Sequence, residues 1–511
     1  MASRTLKFAV GIVLLAELAT PFLLAAQDTR YKLIDMGTFG GPASYLTDPG
    51  NGPSFLVLSD PGVLVGRSDT STFDPIFGDF DAHAFRWDDG ALTDLGTPPG
   101  AVFSQASGVN ARGWVAIDYS TGEIDPLTGG PIFRGALWIN GQFIELPPLG
   151  DGLENNALYV NNGGQVVGFS TISQTPDPAG ISFIGGAIHP FIWQHGVMSD
   201  LGTLGGPDAL PNENCNNQRH NLVTGQSLLA DFTVNPASGS STWHAFLWQN
   251  DKMIDLGTLG GTLLGPLECA NNGGQVAGTS SLTGDPMDPF GNIQAPNNNF
   301  FIGHAFLWKN GAMQDLGTLG GVNSEATWIN QAGDVVGDAD LTGSEVNFLH
   351  HAFLWRNGKM IDLGALRSTS HAYAVNSSGQ VVGKSRLGDD PFSELQHAFL
   401  WENGGPMVDL NTLIGPNSPL ELYDGENIND AGWIAGRGLP PGCDNKDVCG
   451  HAFLLIPCEP ASGQDCSPII ATQSDAALPR KSTTSTLQER LAWRSRRASR
   501  FPFIGSAAPR D

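Results

Sequence analysis

The chain has 511 residues, of which only 15% are charged, with a formal net charge of −25 and many Gly (66) and Pro (34). So acidic a surface repels nucleic acid and anionic lipid, and no phosphate-contacting basic patch stands against that charge. The turn residues recur too regularly for a disordered chain, and the length admits either one large core or several small ones.

The chain opens with the pattern of an export signal. Arg4 and Lys7 precede the apolar run "FAVGIVLLAELATPFLLAA", and small Ala25 and Ala26 suit a signal peptidase, which places a cleaved signal peptide over 1–26. Glu17 and Pro21 within the run argue against an anchor that stays in the bilayer. No later run is long and apolar enough to span a membrane. An exported chain has the secreted or cell-envelope compartment as its destination.

From Tyr31 onward the chain repeats itself. "HAFLWQNDKMIDLGTLGG" (244–261) returns as "HAFLWKNGAMQDLGTLGG" (304–321). The closing aromatic recurs at Trp87, Trp138, Trp193, Trp248, Trp308, Trp355 and Trp401, with Leu455 in an eighth copy. Spacings run from 46 residues (Trp355 to Trp401) to 60 (Trp248 to Trp308), a propeller period rather than a solenoid one. A third marker, "N-x-x-G" followed by a "VVG"-like run, starts at Asn110, Asn161, Asn271, Asn330, Asn376 and Asn429; the units at Ser59 and near Asn216 depart from it.

Each unit predicts four short strands. In the sixth these are "EATWIN", "DVVGDA", "HHAFLW" and "MIDLG", with "RNGK" a hairpin turn. The "AFLW" run is apolar on both faces of its strand, as a blade sandwiched between two others requires. The ends are complementary. "YKLIDMGTFGG" is a fourth strand with no third before it, and "HAFLLIP" a third strand with no fourth after it. The expectation is therefore all-β: a closed eight-bladed β-propeller of four-stranded blades over 27–457, the N-terminal strand completing the last blade.

On these motifs the chain resembles the HAF-repeat family of bacterial extracellular proteins, named for the His-Ala-Phe triplet. The resemblance covers about 31–457. It weakens at "RGALW" (134–138), "HPFIW" (189–193) and "NNQRHN" (216–221). It implies an exported propeller-like repeat protein and carries no catalytic residue with it.

The recurrent polar residues have a structural reading. His83, His189, His244, His304, His351, His397 and His451 open third strands. Asp94, Asp200, Asp255, Asp315, Asp362, Asp409 and Asp35 close the matching fourth strands, with Glu145 in the second unit. A His–Asp hydrogen bond tying each hairpin to its crossover explains a pair needed in nearly every unit; a ring of metal ligands is the alternative. "GTLGG" leads from strand to strand and so lacks the helix N-terminus a phosphate loop needs.

Function is expected where the units differ. The loops between second and third strands vary most (68–82, 169–188, 279–303) and emerge on the face of the "DLGTLGG" crossovers. Phe73, Phe77, Phe80, Phe183, Phe290, Phe300 and Phe301 stand there as a candidate binding rim, or as cover for the blade tops. "DADLTGSE" (338–345) is a calcium candidate with an incomplete ligand set; no other cofactor is expected.

Six cysteines in an exported chain read as disulfides. Cys443–Cys449 and Cys458–Cys466 are expected as local loops, and Cys215–Cys269 as a bridge between blades four and five. The tail from 458 is Cys-bracketed, then basic (Arg480, Lys481, Arg490, Arg494, Arg496, Arg497, Arg500), with disorder as the expectation for its basic part. The functional expectation is a monomeric, non-catalytic binding or scaffold module for an extracellular carbohydrate or protein. The alternative is a propeller-type hydrolase or lyase acting on polysaccharide or peptide. The polar departures at Arg134, Arg219 and His220 contain no paired carboxylates, so no residue is assigned catalysis.

Overall fold

The computed structural model describes residues 30–473, apart from 47–55, 75–78, 180–181, 183, 213–220, 233–242, 265–268, 284–302, 345–348, 392, 394 and 416. The described residues form eight small antiparallel sheets in a ring, an eight-bladed β-propeller. Blades one to seven span 40–96, 104–145, 155–200, 205–257, 260–315, 320–362 and 370–409. The eighth combines Glu421–Ile428, Ile434–Leu439 and His451–Cys458 with the N-terminal strand Arg30–Asp35. Tyr31 pairs with Pro457 and Asp35 with Phe453, so the two ends of the chain share one sheet.

The seam between blades eight and one carries the same bonds as the other junctions. The backbone N–H of the repeat alanine donates to a serine of the next blade: Ala305 to Ser324 at 2.9 Å, Ala352 to Ser370 at 2.8 Å and, across the seam, Ala452 to Ser44 at 2.9 Å. Likewise the amide of the N-x-x-G asparagine donates to a carbonyl of the next turn. Asn110 reaches Asn161, Asn271 reaches Asn330, Asn330 reaches Asn376, and Asn376 reaches Asn429, all at 3.0–3.1 Å. Asn429 then reaches Ser59 at 3.1 Å, back in blade one.

The blades depart from uniform four-strandedness in three places. Blade five has its innermost strand in two pieces, Gly260–Leu264 and Cys269–Ala270. Ile469–Ile470 adds a fifth strand to blade eight, parallel to the N-terminal strand. Thr472–Gln473 adds one to blade one, parallel to Ala91–Gly96. Part of the segment after Cys458 is therefore a strap across the outside of the seam, pinned by the Ala471 N–H on the Asp35 carbonyl at 2.7 Å. The basic residues of the tail lie outside the described residues.

Local chemistry explains the repeat. Phe85, Phe191, Phe246, Phe306, Phe353, Phe399 and Phe453, the phenylalanines of seven "AFLW"-like runs, are fully buried, as is Ala136 at that position in blade two. Each stabilises the ring by roughly 1.5–3 kcal/mol relative to an exposed side chain. The third-to-fourth-strand turns place two successive residues at positive φ, as in Asn310 (54°) and Gly311 (82°) or Asn357 (53°) and Gly358 (79°). This is a type I′ turn, whose twist matches the flanking strands and which Asn-Gly adopts at least cost. The "VVG" glycine has a different reason. A Cβ at Gly337 would strike the Glu325 carbonyl, one at Gly383 that of His371, and one at Gly436 that of Asp424. The first strand bulges beside each contact, between Ala326 and Trp328 in blade six and between Ala372 and Ala374 in blade seven.

Two disulfides join Cys443 to Cys449 and Cys458 to Cys466, with Cα separations of 5.7 and 5.8 Å. Cys269 is buried in blade five, and Cys215 lies outside the described residues.

Candidate functional site

The His–Asp pairs sit at the end of each blade that carries the variable loops. Nδ1 of His83, His189, His244, His304, His351 and His397 lies 2.7–3.0 Å from a carboxylate oxygen of Asp94, Asp200, Asp255, Asp315, Asp362 and Asp409. His451 makes the same contact with Asp35 at 2.9 Å. Most of these carboxylates also accept the glycine N–H two residues on, as Asp255 does from Gly257 at 2.8 Å. Each Asp thus fixes both hairpin and crossover.

The units diverge one layer deeper, at the residue after the "VVG" glycine and its partner on the first strand. Around the ring these facing pairs are Arg67 with Tyr45, Asp118 with Gln105, Phe169 with Asn156 and Gln226 with Leu210. They continue as Asp338 with Glu325, Lys384 with His371 and Arg437 with Asp424. Several of the second-strand residues bond to the next blade. Arg67 donates to Gln105 at 3.3 Å, Asp118 accepts the Ala157 N–H at 2.7 Å, and Thr279 accepts that of Ala326 at 3.2 Å. In blades three and four both members are neutral, as is Thr279 in blade five; blades one and two carry one charged member each, Arg67 and Asp118. Among the described pairs only those of blades six to eight draw both members from Asp, Glu, His, Lys and Arg.

The result is a charged cluster across three blades. Asp338 Oδ1 lies 2.9 Å from His371 Nδ1, and His371 Nε2 lies 2.7 Å from His350 Nε2. Arg437 contacts Asp424 at 2.9 Å, Glu426 at 2.6 Å and Asp447 at 3.3 Å. Burial, with Asp338 beside it, pushes the Glu325 carboxyl up. Burial also works against the charge of Asp338, but His371, His350 and Lys384 outweigh it and hold its carboxyl down. Burial lowers the Lys384 ammonium against the pull of Asp424. The Tyr373 hydroxyl is pushed well up by burial and by Asp424. Asp338 and His371 remain 18% and 27% exposed, so solvent and solutes reach part of this layer.

The opposite face carries a polar recess of about 150 Å³ at the ring centre, lined by the N-x-x-G turns. Asn272, Asn330, Asn376 and Asn429 surround it, with Asp60 and Asp430 at the seam. Burial and the neighbouring Asp430 raise the Asp60 carboxyl. The asparagines are already engaged in the ladder between blades, which makes this recess a by-product of ring construction.

Of the expected aromatic rim, Phe73 and Phe80 are described. They meet edge to face at 5.0 Å, and Phe73 is 49% exposed. Phe77, Phe183, Phe290, Phe300 and Phe301 lie outside the described residues, as do Arg219 and His220. In the 338–345 segment, Asp338 faces His371, and Asp340 accepts two hydrogen bonds from Asn323 at 3.0 and 3.2 Å. Sequence reasoning reached Asp338 only as part of the calcium candidate 338–345 and passed over His350, His371, Lys384, Asp424 and Arg437, because it followed residues that recur. Aligning the residue after each "VVG" glycine reads R, D, F, Q, T, D, K, R, a row with no consensus that, set beside its first-strand partners, exposes the charged sector.

No protein-family model and no curated protein matches the chain. Among solved structures, it is similar to the β-propeller domain of the Trilobed protease from Pyrococcus furiosus (6% identity, 67% of this chain and 91% of that one, TM-score 0.36). It is also similar to the Pyrococcus horikoshii acylaminoacyl peptidase (10% identity, 80% and 58%, TM-score 0.39). A polysaccharide lyase of the ulvan lyase family PL25 matches at 10% identity over 75% and 97%, with TM-score 0.34. At these identities no activity transfers.

Proposed function

We propose that the chain is an exported, non-catalytic binding module that takes its ligand over blades six to eight, on the variable-loop face. One observation carries this reading: among the described facing pairs, both members are charged or imidazole side chains only in blades six to eight. The fold needs none of Asp338, His371 or Lys384, since other blades close with neutral residues there. Side chains that a scaffold does not require, set in a partly exposed layer of a rigid ring, are where recognition is expected. The mixed charge favours a polar extracellular ligand, a carbohydrate or a protein segment. The two disulfides fit an oxidising compartment, and no described helix is long and apolar enough to cross a membrane. Membership of the HAF-repeat proteins is part of the same proposal, resting on the eight-fold motif.

A hydrolase or lyase is the second reading, favoured by the imidazole pair and by the Tyr373 hydroxyl and Lys384 ammonium in one cluster. Binding to arrayed oligosaccharides and peptides, followed by product analysis, separates the two. A ligand retained intact by the wild-type protein, and lost with Lys384→Met at unchanged melting temperature, supports the binding module. Turnover of that ligand supports the enzyme. Retention by Lys384→Met overturns the placement of the site.

A further inference from the structure

His350 and His371 come from different blades and different places in the repeat. His350 precedes the repeat triplet in blade six, where other blades have Ala82, Phe133, Ile188, Trp243, Gly303 or Gln396. His371 stands on the first strand of blade seven, where others have Tyr45, Gln105, Asn156, Leu210 or Asp424. Neither is demanded by the fold, yet their Nε2 atoms face each other at 2.7 Å. Asp338, at the variable register position after the blade-six glycine, takes Nδ1 of His371 at 2.9 Å. One ligand-type atom from each of the three lies within 4.8 Å of the others.

We propose that His350 Nε2 and His371 Nε2 bind a divalent first-row transition metal ion of the zinc class, with Asp338 orienting His371 through Nδ1. Zinc–imidazole bonds of about 2.0–2.1 Å in tetrahedral array place two nitrogens roughly 3.3 Å apart, so the pair needs to open by only about 0.6 Å. A carboxylate on the far nitrogen of a ligating histidine fixes the tautomer that presents Nε2 to the metal, and His371 has that partner. A bond from Nδ1–H to Asp338 leaves Nε2 of His371 with its lone pair directed at His350. The carboxylate set against the pair is Asp338, on Nδ1 of His371, and a negative charge there suits a cation. Oxygen-only ions such as calcium are disfavoured by a donor set of two imidazoles. Two protein ligands leave coordination positions to water or to a donor atom of the ligand, and in that last respect the inference rests on the binding reading above.

The test uses untagged purified protein and metal alone. Cobalt(II) titration is followed by visible absorption and zinc titration by calorimetry. One equivalent of saturable binding is expected. His350→Gln and His371→Gln should each weaken it at least tenfold, Asp338→Asn roughly tenfold to a hundredfold, and His351→Gln, one residue away in the structural series, should leave it unchanged. Should His371→Gln fail to fold, His350→Gln decides alone, since the seven other blades do without that histidine. Absence of saturable binding to the wild type, or equal affinity in His350→Gln, overturns the metal site. Because no organic ligand is present, failure here leaves the binding reading standing. A metal-loaded protein that retains no oligosaccharide or peptide would overturn the binding reading alone.

Discussion

His451 and Asp35 lie 416 residues apart in sequence and 2.9 Å apart in space, and they repeat the contact that every other His–Asp pair makes within one hairpin. In blade eight that contact joins two ends of the chain. The Asp35 carboxylate is also buried, 4% exposed, where Asp255 is 41% exposed.

Asp35→Ala is therefore expected to cost more than Asp255→Ala. Leaving a buried partner unsatisfied costs about 1–3 kcal/mol, and the exposed site falls at or below the low end because water replaces the lost acceptor. Thermal melts of the two variants check this. Equal losses would mean that the seam is no weaker than any other junction, while loss of ligand binding in Asp255→Ala at an unchanged melting temperature would overturn the structural role of the pair.

The strap gives a second expectation. Ala471 donates its backbone N–H to the Asp35 carbonyl at 2.7 Å, between two short parallel pairings. Proline at 471 removes that donor. Ala471→Pro should lower stability by roughly 1 kcal/mol, the worth of one hydrogen bond, and Ala471→Gly by less. Hydrogen exchange of Arg30–Asp35 is the direct readout: faster exchange there, with blades three to five unchanged, is the expected pattern.

Much of the architecture was readable because the fold repeats its requirements. The AFLW run, the Asn-Gly turn and the VVG glycine each answer one backbone or packing demand, and each demand returns eight times with few exceptions. The count of blades and the pairing of the ends followed from those markers. The charged sector was hidden for the converse reason. Asp338, Lys384 and Arg437 occupy one register position, but that position follows no consensus around the ring, and His350 meets His371 only once two blades pack side by side. The strap was equally illegible: Ile469–Ile470 and Thr472–Gln473 are two-residue strands, too short to show a period. The aromatic rim remains an expectation, with Phe73 and Phe80 its described members.

The pH dependence should have two arms of opposite sign. Burial opposes the charge of Asp200, Asp255 and Asp409, but the hydrogen bond from the partner histidine and a backbone N–H outweigh it and hold each carboxyl below its ordinary value of 3.8. A lowered carboxyl stabilises the fold above its unfolded value, and that contribution is lost as pH falls through the folded one. His397 runs the other way. Burial disfavours its imidazolium, but Asp409 at 2.7 Å and Glu421 at 3.0 Å outweigh this and raise it above 6.5. Its contribution is complete below 6.5 and is lost as pH rises through the raised value. Melting temperatures across pH 3 to 9 should show a fall on the acid side below about 4. His397→Gln should flatten the alkaline arm and remove from the acid arm only the share of Asp409, leaving that of Asp200 and Asp255; an unchanged alkaline arm would show that Glu421 and Asp409 do not hold the charge.

Blade four offers a gain of stability. Six of the seven third-to-fourth-strand turns place glycine second in the left-handed pair, as at Gly90, Gly141, Gly196, Gly311, Gly358 and Gly404. Blade four has Asn250 (φ 53°) followed by Asp251 (φ 58°). A left-handed conformation costs most residues roughly 1–2 kcal/mol, Asp somewhat less because its short side chain bonds locally, and glycine almost nothing. Glycine also loses more freedom on folding, which takes back part of the gain. Asp251 is exposed, and its replacement opens no cavity. Asp251→Gly should therefore raise stability by about 0.5 kcal/mol, and Asp251→Val should lower it by more, because a β-branched side chain tolerates positive φ least. Denaturant unfolding of both variants beside the wild type measures the order. If Val at 251 is as stable as Gly, the turn in blade four does not hold the I′ geometry of its six counterparts.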